Sequence, residues 1–363
     1  MNASIRGIEY HLPEQAVSNR DLAAEFPEWT IGKIQGKTGI LERHVAAPNE
    51  TAADLAAQAA RKLFDSGACS TNEIDFLLLC TQTPDHFLPT TACLLQHRLG
   101  IPTHAGALDF NLGCSGFVYG LGLAQGLIET EQATCILLLT AETYTKLIHP
   151  RDRSVRTLFG DAAAATLITA TPAPERRRSS YTWGTDGSGG PNLIVPAGGM
   201  RRRSSAETAQ AVEDDTGNWR SPDNLYMDGA EIFNFTLSAI PECVNRVLAR
   251  GRKQLDDIDL FVFHQANQYM LDHLRKKLGI PAAKFYVHLE NCGNTISSTI
   301  PIALKHALGA KRLEAGQTVM LVGFGVGYSW AATILEWPLL GLSETRGAKE
   351  KVPELTATSS ERS

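Results

Sequence analysis

Apolar residues along this chain come in short unbroken runs, separated by segments of helical period. IDFLLLCTQ (74–82), GALDFNLG (106–113) and TCILLLTAE (134–142) read as strands, whereas TTACLLQHRLG (90–100) and the stretch after Cys114 have helix-like spacing. A strand apolar at successive positions is buried on both faces, so the pattern predicts an α/β fold with helices covering each side of its sheets. The second half then repeats the first. NEIDFLLLCTQ (72–82) leads to HRLGIP (97–102) as DDIDLFVFHQA (256–266) leads to RKKLGIP (275–281), and GDAAAATLITA (160–170) is matched by GYSWAATILEW (327–337). Three correspondences in one order predict an internal duplication. We expect a first half over 1–170, a Ser-, Gly-, Pro- and Arg-rich excursion over 171–225, a second half over 226–340 that opens on a helical segment (226–251), and a disordered tail over 341–363.

The 363 residues, 43% hydrophobic and 20% charged, suffice for two core-forming units. A net charge of −5 leaves no global basic field, so neither nucleic acid nor a membrane surface is an expected partner. Two local clusters, Arg176-Arg177-Arg178 and Arg201-Arg202-Arg203, stand in polar, turn-rich sequence and read as solvated loops. The opening MNASIRGIEYHLPEQ carries neither the basic start nor the apolar core of a secretory signal, and no apolar run has the length to span a bilayer. The seven cysteines are scattered without a CxxC pair, which fits reduced thiols and neither a disulfide framework nor a metal site. A soluble cytoplasmic protein is expected.

One cysteine is placed differently. In LDFNLGCSGFVYGLGLAQ (108–125), Cys114 marks the corner where strand-like sequence becomes helical, with Gly113 and Gly116 on either side. A small buried residue explains it. So does a nucleophile, because a thiol at a helix N-terminus lies in the positive end of the dipole, which favours thiolate. The second half supplies what could meet it. LFVFHQAN runs a strand into His264 and Asn267, and α/β sites form at the C-terminal ends of strands. LENCGNTISSTIP (289–301) sets Asn294 ahead of a helix, where a turn or cap would also suit it. TVMLVGFGVGYSW (318–330) places a glycine loop, Gly323 to Gly327, between two strands; no helix follows to receive a pyrophosphate, but backbone N–H groups can approach a ligand there. Jointly these offer a thiol nucleophile, an imidazole, an amide donor and an oxyanion site. Cys292 sits in a turn without the strand-to-helix setting and reads as structural.

At these residues the sequence resembles the β-ketoacyl-acyl-carrier-protein synthase III family, the initiating condensing enzymes of the thiolase superfamily. The likeness spans about residues 3 to 337 and includes KTGILERHVAAPNET (37–51), GCSGFVYGL around Cys114, FGDAAAATL, HQAN and GNT, in the family's order. It implies a thiolase-like five-layer αβαβα fold from two duplicated halves, and a homodimer. It implies that Cys114 takes an acyl group from acyl-CoA as a thioester, and that His264 and Asn294 stabilise the enolate-like charge formed when malonyl-acyl-carrier protein (malonyl-ACP) loses carbon dioxide. The backbone N–H groups of Cys114 and Val326 would hold the oxyanion, with Val326 standing where the family usually has glycine. Lys37, Arg153 and Asn267 would bind coenzyme A or pantetheine, and Arg275, Lys276 and Lys277 would dock acyl carrier protein (ACP). No permanently bound cofactor is implied.

The departures from the family pattern concern the substrate. Leu88 stands where acetyl-specific members cap the acyl pocket with a bulky aromatic, which suggests room for a longer primer. Trp29 is followed by extra residues before Lys37, and Lys37 replaces a phosphate-contacting arginine without its bidentate fork, so either coenzyme A binds more weakly or the donor is an acyl-ACP. Tyr269 replaces a basic position near the docking helix. The excursion resembles members from specialised metabolism. Two alternatives are an acyltransferase or condensing enzyme with a non-malonyl acceptor and a non-catalytic partner subunit; a thiol hydrolase would need a positioned water and base that no feature demands.

Overall fold

In the computed structural model, residues 1–172 and 180–338 are described; Arg176-Arg177-Arg178 and the tail expected over 341–363 lie outside them. The unbroken apolar runs form strands with two dry faces. In Phe76–Cys80, Leu77 and Leu79 enter one core while Leu78 enters another, and in Cys135–Glu142 the pair Leu137 and Leu139 alternates with Ile136 and Leu138 in the same way. Each such leucine, fully removed from water, contributes roughly 2 kcal/mol. This double burial is why the sequence shows no period of two.

Two five-stranded sheets result, and they share one topology. The first runs Asn2–His11, Ala162–Thr171, Cys135–Glu142, Phe76–Cys80, Gly106–Phe110; the second runs Ser180–Thr185, Ser329–Glu336, Thr318–Gly325, Leu260–Phe263, Phe285–Tyr286. In both, the first two pairings are antiparallel and the last two parallel. Small details repeat as well. The Asp75 carboxylate accepts from Thr134 N–H at 2.7 Å, and the Asp259 carboxylate accepts from Thr318 N–H at 2.8 Å, each joining the start of one strand to its parallel neighbour. The edge strand Ser180–Thr185 lies within the 171–225 excursion, so part of that stretch is built into the second sheet.

Helices fill three layers around the two sheets, five layers in all. Ala52–Asp65, started by a capping box between Thr51 and Asp54, and Thr91–Arg98 cover the outer face of the first sheet. Gly116–Glu129 and Thr299–Gly309 lie between the sheets and touch both. Gly229–Gly251 covers the second sheet on its far side, with Gln268–Lys277 against it. The middle layer has an apolar core: Phe117 and Val118 meet Ile300 and Leu304 amid Leu78, Leu138, Val262 and Leu321. Among the described residues no helix is long and apolar enough to cross a membrane.

Candidate active site

The strand Gly106–Phe110 ends four residues before Cys114, and Ser115 is the N-cap of the Gly116–Glu129 helix, so the thiol sits at the helix start. The corner closes through Gly116 N–H donating to the Gly113 carbonyl at 2.8 Å. Space around it is minimal. A Cβ added to Gly113 would lie 2.5 Å from Gln82 Oε1, and one added to Gly325 would lie 2.9 Å from Cys114 Sγ. The glycine loop of the second half therefore lies directly on Cys114. Cys114 is buried, and burial, followed by nearby Glu142, pushes its thiol above the ordinary range; a backbone hydrogen bond at Cys114 itself opposes them. Burial therefore works against the thiolate that a helix N-terminus favours.

His264 follows the strand Leu260–Phe263, and its N–H donates to the Val322 carbonyl at 2.8 Å, which continues the ladder into the site. Its Nδ1 lies 2.8 Å from Thr299 Oγ1, and Phe324 meets the ring edge-on. Burial pushes the imidazole down to about 3, against a backbone hydrogen bond at Ile296, so the resting ring is neutral. Asn294 is oriented by its neighbours: its Oδ1 accepts from Ile296 N–H at 3.0 Å, and its Nδ2 donates to the Ala266 carbonyl at 3.3 Å. One Nδ2 hydrogen remains for a ligand. Ile296 adopts φ 53°, a left-handed conformation that a β-branched residue avoids, so strain is stored where these two side chains are aimed.

Cys114, His264 and Asn294 line one cavity of about 640 Å³. Lys37 and Asn267 line it too, with Trp29 and Tyr269. The Lys33 and Lys37 ammonium groups lie 5.0 and 5.2 Å from the Trp29 ring centroid. Asn267 also caps the Gln268–Lys277 helix, its Oδ1 accepting from Met270 N–H at 2.9 Å. Val326 follows Gly325 and packs at the Gly113 corner.

Other expected residues lie elsewhere. Leu88 is 81% exposed and does not line this chain's cavity: Asp85 accepts from Thr51 Oγ1 and Ala53 N–H on the outer helix, which turns the loop outward. Arg153 does not line the cavity either; its guanidinium donates to Glu28 and to the Thr216 carbonyl, while neighbouring Ser154 faces inward. Arg275 is partly spent on its own helix end, donating to the Ile280 carbonyl at 3.1 Å, whereas Lys276 and Lys277 are exposed. Tyr269 packs with tilted rings against His273 and Phe233 at the cavity rim. Arg202 meets Glu207 at 3.4 Å and Arg203 faces the Phe87 ring, on an exposed loop. Cys292 is buried beside Ala162 and Ile302, outside the cavity, with its thiol pushed up to about 12 by burial.

Leu193, within the excursion, and Met227, just beyond it, pair as short strands and also line the cavity; nothing in their local sequence marked them. Glu142 was missed as well. It is fully buried at a strand end, accepts from Gln82 N–H and Ser297 Oγ at 3.0 Å each, and burial pushes its carboxyl up to about 8. Its place in the unbroken run TCILLLTAE was the available signal.

Comparison with known proteins decides the family. Residues 108–187 match the family model for 3-oxoacyl-[acyl-carrier-protein] synthase III, and residues 248–337 match its C-terminal model. A β-ketoacyl-[acyl-carrier-protein] synthase III of Clostridioides difficile is 36% identical over 340 residues, covering 93% of this chain and 99% of that one. The chain belongs to the β-ketoacyl-[acyl-carrier-protein] synthase III family. A solved 3-oxoacyl-(acyl-carrier-protein) synthase III is 55% identical with a TM-score of 0.91, covering 93% of this chain and 100% of that one. A Burkholderia xenovorans 3-oxoacyl-(acyl-carrier protein) synthase is 37% identical with a TM-score of 0.84, covering 93% and 95%. The duplicated layers are thus the thiolase-like αβαβα fold, and the chain is a condensing enzyme, an acyltransferase.

Proposed function

We propose that the enzyme loads an acyl group from acyl-CoA or acyl-ACP onto Cys114 and condenses it with malonyl-ACP to give a 3-oxoacyl thioester. The observation that carries this reading is the single cavity on which Cys114, His264 and Asn294 converge. Thiol and imidazole both rest neutral, so acylation has to pass the thiol proton to the imidazole as the donor thioester arrives; the departing thiolate takes that proton away. Backbone N–H groups of Cys114 and Val326 receive the oxyanion. The malonyl carboxylate then brings negative charge beside His264 and raises its basicity, so the ring takes up a proton. Loss of carbon dioxide leaves an enolate, which His264 and Asn294 Nδ2 stabilise. Its carbon attacks the Cys114 thioester, the C–S bond breaks, and the imidazolium proton returns to sulfur.

Lys37 and Asn267 hold the pantetheine arm, with Arg153 released from Glu28 for coenzyme A, and no permanent cofactor is needed. Lys276 and Lys277, with Arg275, form the ACP docking face. We assign 1–170 and 226–340 to the two halves, 171–225 to the excursion, and the setting to the cytoplasm. A homodimer is favoured by Phe87, Leu88, Leu94 and Leu108, exposed near the edge of Gly106–Phe110 that no strand among the described residues pairs. From across that edge Leu88 could serve an acyl pocket, one permissive of primers longer than acetyl.

Leu193 and Met227 in the cavity wall favour one second reading, an acceptor other than malonyl in specialised metabolism. Intact-protein mass spectrometry with graded acyl donors, paired with carbon dioxide release from malonyl-ACP, separates these. Acyl adducts on wild type but not Cys114→Ala, with carbon dioxide release, are expected. Adducts without release would favour the second acceptor; turnover retained by Cys114→Ala would overturn both and point to a partner subunit role.

A further inference from the structure

The duplication pairs residues as well as strands. Gly116 and Thr299 each open a middle-layer helix behind a serine N-cap, Ser115 at φ −85°, ψ −15° and Ser298 at φ −87°, ψ −5°. Cys80 and His264 stand at matching places in IDFLLLCTQ and IDLFVFHQA. In the first half, Gly116 leaves room for the Cys80 side chain, which donates instead to the Leu112 carbonyl at 2.8 Å. In the second, the same helix position carries a hydroxyl that meets His264 Nδ1 at 2.8 Å.

We propose that Thr299 is the positioning residue that fixes the protonation pattern of His264, an inference that rests on the catalytic reading of that imidazole. Thr299 Oγ1 donates its only hydrogen to the Ile296 carbonyl at 3.1 Å, so toward His264 it acts as acceptor. Nδ1 therefore carries the hydrogen, and Nε2 is left as the nitrogen that exchanges protons with the thiol and, once protonated, donates to the enolate oxygen. The bond also fixes the ring's rotation in a buried site where no water can replace the partner, since Thr299 and His264 are each 2% exposed. Ile296, held at φ 53°, thus serves both side chains: its carbonyl takes the Thr299 proton and its N–H orients Asn294.

The test compares wild type, Thr299→Val and Thr299→Ser. Valine keeps the shape and removes the acceptor, and serine returns it. Thr299→Val should lower kcat for condensation by about tenfold or more with little change in KM for malonyl-ACP, and should alter the pH profile of kcat, while Thr299→Ser stays near wild type. A valine variant with wild-type kcat and pH profile, or a serine variant as impaired as valine, would overturn the proposal. Nitrogen-15 histidine NMR of the wild type supplies a second readout: the Nδ1–H neutral form is expected for His264, and an Nε2–H form refutes the assignment whether or not any variant folds. Should the wild type release no carbon dioxide from malonyl-ACP, the catalytic reading falls, and the NMR result still decides the hydrogen bond.

Discussion

Gly325→Ala tests the closeness of the two halves at Cys114. A Cβ at that position would lie 2.8 Å from Cys114 Cβ and 2.9 Å from Sγ, whereas apolar atoms settle near 3.5–4.0 Å. Relief requires a shift of roughly 0.7–1 Å, and the element that yields is Cys114 or the Gly325 backbone. A misplacement of that size costs about 100-fold in rate, or about 2.7 kcal/mol of activation free energy. The assay is single-turnover acylation of Cys114 followed by intact mass, with thermal unfolding alongside. Slow acylation with a nearly unchanged melting midpoint is expected, since the clash falls on one side chain. Gly323→Ala provides the contrast: its Cβ would meet Ser115 Cα at 2.8 Å and the Cys114 carbonyl at 2.9 Å, backbone atoms that cannot swing aside, so stability should fall together with activity. Acylation by Gly325→Ala within twofold of wild type would refute the reasoning, because the corner would then be looser than these distances require.

Gly126→Ala, in the helix that Cys114 precedes and with nothing within 4 Å of the added carbon, should stabilise the protein by about 0.5–1 kcal/mol in denaturant unfolding; a loss of stability would mean the site is not open. Glu142→Gln should change how stability depends on pH. The carboxyl ionises near 4.5 when unfolded but only near 8 when folded, so its stabilisation is full below pH 4.5 and is lost as pH rises toward 8. The melting midpoint of wild type relative to Glu142→Gln should therefore drop across that window, and a constant difference would contradict it. Asn294→Ala should still acylate Cys114 but release carbon dioxide from malonyl-ACP at least 100-fold more slowly, as for loss of one oxyanion donor; unchanged release would remove Asn294 from the mechanism. Lys276→Glu with Lys277→Glu should raise KM for malonyl-ACP several-fold at low salt while leaving acylation from acyl-CoA intact, and an unchanged KM would move ACP docking elsewhere.

What the sequence made legible was whatever burial or local geometry imprints on neighbouring residues. Leu77, Leu78 and Leu79 read as a doubly covered strand because each face demanded apolar side chains. The duplication was legible because the two halves solve one packing problem with the same short patterns, down to Asp75 and Asp259. Cys114, His264 and Asn294 stood out because each follows a strand or precedes a helix. Contacts distant in sequence left no such imprint. Nothing near Leu193 or Met227 says that the excursion folds back to wall the cavity, and nothing in DHFLPTTAC shows Asp85 pulling Leu88 outward to the Thr51 cap. The strand Ser180–Thr185 was hidden by its setting in polar sequence, and its pairing with Ser329–Glu336 is decided only by the edge that strand offers. The upward push on the thiol was also out of reach: a helix N-terminus can be read locally, but the desolvation that raises the Cys114 thiol belongs to the whole packed layer.

The same contrast explains why the seam between the halves is polar where the rest of the middle layer is dry. Ser115 Oγ meets Ser329 Oγ at 2.7 Å, Thr140 Oγ1 meets Ser298 Oγ at 2.9 Å, and Ser297 Oγ donates to Glu142 at 3.0 Å. All are buried, and each bond contributes only about 1 kcal/mol net, so apolar residues of equal size would hold the layers together as well. Apolar contacts, however, are nearly indifferent to a slide of an ångström, whereas a buried hydroxyl loses its partner over that distance and bears the desolvation penalty. Serine and threonine therefore set the register in which one half faces the other. That register places Gly325 of one half against Cys114 of the other, so the pairs that look least chemical determine whether the Cys114 thiol shares one cavity with the His264 imidazole and the Asn294 amide.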